Sequence, residues 1–246
     1  MNSIVHITPD ILKNIEVEVK LVLSCEHAVN TIPEKFKNMF HQVENLLETH
    51  RGYDSGALDL MNCMKNTKVS YIQVATASRM VVDVNRSLYR RTLFSEFTKP
   101  LDKAVKDEIL EEYYYGFRRP FEDKIYQYWQ QNCIVLHLSV HSFTPVLNGE
   151  IRQTDFGILY HPGRKQEKQF AKIWKKELLK LMPEFRVRFN YPYRGKPDGH
   201  VRYFRDRENE KYIGLEFEMN QKFAKNKIVH KNISSAFYSA LGNLYK

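Results

Sequence analysis

Three cysteines, Cys25, Cys63 and Cys133, are scattered through 246 residues. An odd number at such wide spacing excludes a disulfide framework and predicts free thiols in a reducing compartment, with the cytoplasm as the expected location. No apolar run approaches the roughly 18 to 20 residues that a membrane-spanning helix needs. The opening segment, MNSIVHITPDILKN, has neither the basic tip nor the apolar stretch of a signal peptide. Internal repeats, low-complexity tracts and linker-like segments are missing as well. These absences exclude collagen-like and disordered chains. There is also no HExxH and no CxxC pair, so any metal ligands must come from separate parts of the chain.

What is present is ordinary for a single globular domain spanning residues 1–246, with 43% hydrophobic and 27% charged residues. Lys and Arg number 38 against 29 Asp and Glu, a net charge of +9. Such an excess suits a binder of nucleic acid or another polyanion, but those proteins gather their charge on one stripe or tail. Here it is spread. Its densest stretch, Lys165–Lys180, interleaves Phe170, Ile173, Trp174 and Leu178, with Leu181 beyond, at spacings of three and four. That pattern predicts an amphipathic helix with a solvated basic face. Nucleic acid and membrane are therefore not expected partners, and the charge can instead draw in anionic substrates.

Strand-like and helix-like segments alternate along the chain. Strands are predicted at Val17–Ser24, Val69–Ala75, Cys133–Val140, Phe156–Tyr160, Phe185–Phe189 and Tyr212–Met219, and Arg79–Asn85 reads as a strand or extended edge. Cys133–Val140 is nearly continuous in apolar character, as in a strand buried on both faces. Helices are predicted at Ser55–Lys65, with Asp54 placed to cap it, at Leu101–Glu112 and Pro120–Gln131 on either side of the aromatic link YYYGFRR, and at Asn232–Leu244. This order implies a three-layer αβα sandwich with a mixed, mostly parallel sheet. In such folds the site lies beyond the carboxyl ends of the strands. The polar clusters there are CEHAVN, SRMVVDVNRS, HSFTP and EFEMNQ.

His27 and His141 each follow a predicted buried strand, and Asp54 follows the short loop HRGYD. Two His and one carboxylate with an open fourth position is a common catalytic zinc arrangement, in which zinc acidifies water and polarises a carbonyl. A nearby Glu must then carry the proton. Glu218 is best placed, and Glu216 shares its strand face. Against this, a lone His at a strand end is commonly a hydrogen-bonded structural residue, and Asp54 can be only a helix cap. Cys25, Glu26 and His50 are alternative ligands, although neighbours on an extended segment point to opposite faces. Cys25 can also be a nucleophile or a small buried hydrophobe.

Arg79, Asp83, Asn85 and Arg86 interrupt an apolar stretch. Arginine forks suit planar carboxylates, so these residues either bind substrate or form a bracing ion pair between Arg79 and Asp83. Asn190, Tyr193, Arg194 and His200 lie in NYPYRGKPDGH, a turn-rich loop that is either a binding loop or a connector.

CEHAVNTIP, HRGYDSGALDL, SRMVVDVNRS, VHSFTPVLNGEIR, NYPYRG and EFEMNQ occur in the order seen in the N-formylglutamate amidohydrolase family, which the chain resembles from about Leu21 to Phe223. Its first motif resembles the (Asp/Glu)-His-Ala form of that family, with Glu26 where Asp is commoner. The resemblance implies a zinc-exopeptidase-like fold and hydrolysis of a linear amide. It also implies one Zn2+ held by His27, Asp54 and His141, with Glu218 as general acid/base and His200 or an Arg assisting at the oxyanion. Arg79, Arg86, Asn85, Ser142, Asn190 and Arg194 are assigned to a small N-acyl amino acid carrying carboxylates, such as N-formyl-glutamate. One departure stands out: the basic, aromatic stretch between Ser87 and Leu101, which can narrow or recharge the substrate entrance. The competing readings are a non-catalytic polyanion binder and an inactive relative that binds a small molecule.

Overall fold

The computed structural model describes residues 18–208 and 210–243. Six strands form one mixed sheet: β1 (Val19–Cys25), β2 (Val69–Val74), β3 (Ile134–Phe143), β6 (Phe156–Leu159), β7 (Val187–Phe189) and β8 (Tyr212–Asn220). Their order is β2-β1-β3-β8-β6-β7. The first four in that order are mutually parallel, and β6 joins β8 antiparallel with β7 parallel to β6. Two short strands, β4 (Val146–Leu147) and β5 (Glu150–Ile151), make a separate hairpin. Because β1, β2, β3 and β8 run the same way, their carboxyl ends share one edge, and the loops beyond that edge carry the site.

Each central strand has two unlike faces. Leu21, Leu23 and Cys25 of β1, Ile134, Leu136, Leu138 and Val140 of β3, and Ile213, Leu215, Phe217 and Met219 of β8 join one apolar core. Helices α1 (Ala57–Met64), α4 (Lys165–Leu181) and α6 (Lys227–Gly242) cover that face. The alternate residues point the other way. There Val22, Val135 and Tyr212 pack against Phe121, Ile125 and Tyr128 of α3 (Gly116–Gln130) and Val201 and Phe204 of α5 (His200–Arg205). Farther along each strand that face turns polar, with Ser24, His137, Ser139, His141, Glu216 and Glu218. A third cluster, built by Phe36, Phe40, Met80, Val81, Val82, Val84, Leu93, Ile109 and Phe117, anchors the long excursion between β2 and β3.

Several expectations change. The segment 79–85 is a chain of turns, not a strand, because side chains on the segment take its amide protons: Ser78 Oγ accepts from Met80 N (3.2 Å) and Asp83 Oδ1 from Asn85 N (3.0 Å). The two helices expected around YYYGFRR are one continuous helical path. Here α2 (Lys103–Ile109) runs through a π-helical stretch at Leu110–Tyr115 into α3, which tolerates Pro120 in its second turn. Asp54 caps nothing with its side chain. Gly56 occupies the N-cap of α1 at φ 80°, and a Cβ there would lie 2.5 Å from the Ala224 backbone. The strand ending at Val140 continues to Phe143, and the last helix begins at Lys227. Val17, Leu244 and the opening MNSIVHITPDILKN lie outside the described residues. The basic helix forms as expected, although Leu181 ends up 49% exposed. All three cysteines are free. Among the described residues no helix is long and apolar enough to cross a membrane.

Trp174 of α4 is fully buried and stacks on Phe217 of β8 with ring centroids 4.7 Å apart. Trp174→Ala is expected to cost about 3 to 5 kcal/mol, as large-to-small core substitutions do. Equilibrium urea unfolding measures this, and a loss below about 1 kcal/mol would show that α4 does not close the core.

Candidate active site

β1 delivers Glu26 and His27 just past its end, and β3 delivers His141 two residues before its own. The register sets Ser139 beside Glu216 and His141 beside Glu218. Asp54 enters from the loop before α1, where its backbone N–H donates to the carbonyl of His27 (2.9 Å). Its carboxylate then reaches both imidazoles: Oδ2 lies 2.9 Å from His141 Nδ1 and 3.4 Å from His27 Nδ1, and accepts from Ser142 N at 3.3 Å.

These side chains surround a cavity of about 330 Å³ whose lining also includes Arg79, Asn85, Arg86, Tyr193 and Glu218. His27, Asp54, His141 and Glu218 are each at most 5% exposed. Each imidazole is held from behind. His27 Nε2 meets Asp83 Oδ1 at 2.8 Å, and His141 Nε2 meets Ser139 Oγ at 2.8 Å and Glu26 Oε2 at 3.3 Å. Carboxylates behind histidines in this way fix the ring and leave the other nitrogen for a ligand. His27 Nδ1 is buried without a hydrogen-bond partner.

The donor set fits a metal ion. Ligand atoms of His27, Asp54 and His141 all lie within 4.8 Å of one another. Adjacent ligands of tetrahedral zinc are roughly 3.3 Å apart, as its bond lengths require, close to the observed 2.9 and 3.4 Å. Glu26, His137 and His200 form a second close group. There both nitrogens of His137 are taken, by Ser24 Oγ (2.7 Å) and Tyr212 Oη (2.5 Å), so that group is a hydrogen-bond network. Glu26 belongs to it, accepting from Ser24, Ser139 and His200.

Electrostatics follow the geometry. Burial opposes charge on Asp54 and Asp83. Nevertheless the field of His27 and the His141 bond hold Asp54 below its ordinary range, and Arg79 with His27 holds Asp83 well below its own. Burial likewise opposes charge on Glu26, but the bond from His200 together with the fields of His141, His200 and His137 holds it well below its ordinary range. In the metal-free protein burial also disfavours an imidazolium at His141, but Asp54 and Glu26 hold it up to about 10. Burial pushes the Glu218 carboxyl up to about 8 against the pull of His141, and its Oε2 has no partner.

Most of the expected residues meet here. His27, Asp54, His141, Glu218, Arg79, Arg86, Asn85, Ser142 and Arg194 all line the cavity. His50 also lines it but is exposed and stands apart from the ligand cluster. His200 does not line it. Its Nδ1 bonds Glu26 at 2.8 Å and its ring is walled by Phe117 and Phe121. Asn190 is turned inward as well, accepting from Tyr160 N and Gly195 N to shape the loop that carries Arg194. The pair between Arg79 Nη2 and Asp83 Oδ2 is real at 2.7 Å, and Arg79 still faces the cavity. Sequence reasoning gave no site role to Ser24, His137 and Ser139, whose polar character at every second position of two buried strands was the available signal.

The fold and site define an α/β domain whose two-histidine, one-carboxylate cluster opens at the carboxyl ends of parallel strands, a layout suited to metal-assisted hydrolysis. The profile of the N-formylglutamate amidohydrolase family matches residues 19–224, and the chain belongs to that family. Among solved structures it is similar to the Agrobacterium tumefaciens gene product Atu2144, with TM-score 0.74, 22% identity, and 96% of this chain and 94% of that one covered. It is also similar to N-formylglutamate amidohydrolase from Ralstonia eutropha JMP134, with TM-score 0.63, 15% identity, and coverage of 93% and 94%. No curated protein matches the sequence.

The raised His141 value fixes a sign for the metal-free protein. Its contribution to stability is fully present below the ordinary His value of 6.5 and is lost as pH rises through about 10. Imidazole 15N NMR should show His141 as imidazolium well above neutral pH while buried His137, held well below its usual range, stays neutral. A His141 ring that titrates near 6.5 would remove the Asp54 pairing.

Proposed function

We propose that this chain is a zinc-dependent amidohydrolase that cleaves the linear amide of an N-acyl amino acid bearing carboxylates, with N-formyl-glutamate as the leading candidate. The observation that carries the reading is the convergence of His27 Nδ1, His141 Nδ1 and the Asp54 carboxylate on one cavity that also holds the buried, unpartnered Glu218 Oε2. Zinc held by His27, Asp54 and His141 would supply an acidified water and a polarised acyl carbonyl.

The remaining work falls to the chain. Glu218 takes the proton of the attacking water and returns it to the departing amine, a role open to a carboxyl whose proton is finely balanced. Arg79 and Arg86 face the cavity from the turn at Asp83 and orient the substrate carboxylates. Asp83 holds the His27 ring. Glu26, braced by Ser24, Ser139 and His200, holds the His141 ring, so His200 is a positioning residue here and not a contact to the oxyanion.

Elemental analysis should find about one zinc per chain, the stoichiometry of a single three-ligand site, together with chelator-sensitive release of formate from N-formyl-glutamate. Glu218→Gln should keep the metal and lose turnover by about a hundredfold or more. His27→Ala and His141→Ala should lose metal and activity together. Full activity in Glu218→Gln, or unchanged metal content in both histidine variants, would overturn the assigned roles. A metal-free chain that added zinc does not activate would overturn the reading as a whole.

A further inference from the structure

A second and larger cavity, about 570 Å³, adjoins the first. Pro197 and Asp198 line both, and the chain passes from one to the other between Arg86 and Ser87. Four of its five arginines are matched by acids, Arg119 by Glu111 (3.1 Å) among them. Arg90 pairs with Asp198 at 3.1 Å, Arg202 with Asp206 at 2.8 Å, and Arg207 lies 3.9 Å from Glu122. Arg118 is different. It is 5% exposed, its guanidinium carbon sits 4.9 Å from the Tyr114 ring centroid and 5.2 Å from that of Tyr203, and among the described residues no carboxylate pairs with it. Its Nε and Nη2 both donate to the carbonyl oxygen of Val84 (3.0 and 2.9 Å), and Nη2 also to that of Arg86 (3.3 Å). Nη1 makes none of these bonds.

A buried cation without a counter-charge is costly unless an anion completes it. Two stacked tyrosines and two backbone carbonyls fix the plane of this one, which suits a carboxylate meeting its free edge. Arg86 links the cavities: its side chain faces the first, and its carbonyl is held by the arginine of the second. We infer that the Arg118 cleft is a second subsite, which takes a further carboxylate on an extension of the amine portion of the substrate. This rests on the amidohydrolase reading above, and it enlarges the substrate class from a single N-acyl amino acid to one extended by an acidic unit.

The test compares N-formyl-glutamate with two extended forms on the zinc-loaded full chain. One carries a γ-linked glutamate. The other carries a γ-linked norvaline amide of similar size without the charge. The acidic form should show kcat/KM at least about tenfold above the neutral one, the gain expected of a charge-assisted bond. Arg118→Lys, which keeps the charge but not the fork, should shrink that ratio severalfold. The wild-type ratio needs no variant to fold. Equal rates for the two extended forms, or cleavage of N-formyl-glutamate alone, would overturn the subsite. If free glutarate alters N-formyl-glutamate turnover and the two extended forms are cleaved alike, the cleft is an effector site and the inference falls. If no amide is cleaved, the amidohydrolase reading fails by itself. Calorimetry with the same pair then decides the cleft, with tighter binding of the acidic form expected and equal binding overturning it.

Discussion

A carboxylate buried beneath the loops of an α/β sheet is tolerable only where cations or strong donors meet it, and Asp54 is met by four groups. His141 and His27 approach one of its oxygens, Ser142 N donates to the same oxygen, and Arg79 Nη1 lies 3.7 Å from the other. Because Asp54 is shared, neither histidine can move without leaving a buried charge unbalanced. The strand carrying His141, the loop carrying Asp54 and the segment after β1 that carries His27 are thereby tied at one point. The same requirement spreads outward: Asp83 must accompany His27, Arg79 must accompany Asp83, and Glu26 must be neutralised by donors behind His141.

The sheet makes this affordable by separating its faces. On one side β1, β3 and β8 present mainly apolar residues to three helices, and that side carries the greater part of the core. The opposite side is then free to hold a column of polar groups, which passes from Tyr212 through His137, Ser24, Glu26 and Ser139 to His141. Every link in that column is a hydrogen bond inside a low-dielectric layer, where a satisfied network is stiff and a broken one is costly.

This division explains how much could be read in advance. The alternation of elements, the mixed sheet and the clusters at strand ends follow from local pattern, and most cavity-lining residues come from those clusters, with Asp54, Tyr193 and Arg194 supplied by the loops HRGYD and NYPYRGKPDGH. Strand β3 reads as an apolar run because leucine, isoleucine and valine outnumber its polar positions. Yet His137, Ser139 and His141 occur at every second residue, and that period already separates a polar face from an apolar one. The Asn148-Gly149 pair between β4 and β5 is likewise a local hairpin signal, with φ of 50° and 82°. Other features are not local. His200 lies far along the chain from Glu26, and nothing near it in sequence shows that it would be buried behind the site rather than inside it. The valines of the segment at 79–85 suggest a strand, but their burial is supplied by a separate cluster, and the amides of Met80 and Asn85 donate to the side chains of Ser78 and Asp83.

Arg79 shows why a structural and a binding role need not compete. Read from sequence, it either braces Asp83 or receives a substrate carboxylate. Arginine has five donors in a rigid plane, and the bond from Nη2 to Asp83 engages only part of that fork. The ion pair removes the rotational freedom that a long side chain would otherwise lose on meeting its ligand. An arginine already oriented by Asp83 at the wall of the cavity is a better anion receptor than a free one. The pairing is therefore compatible with the binding role proposed for Arg79.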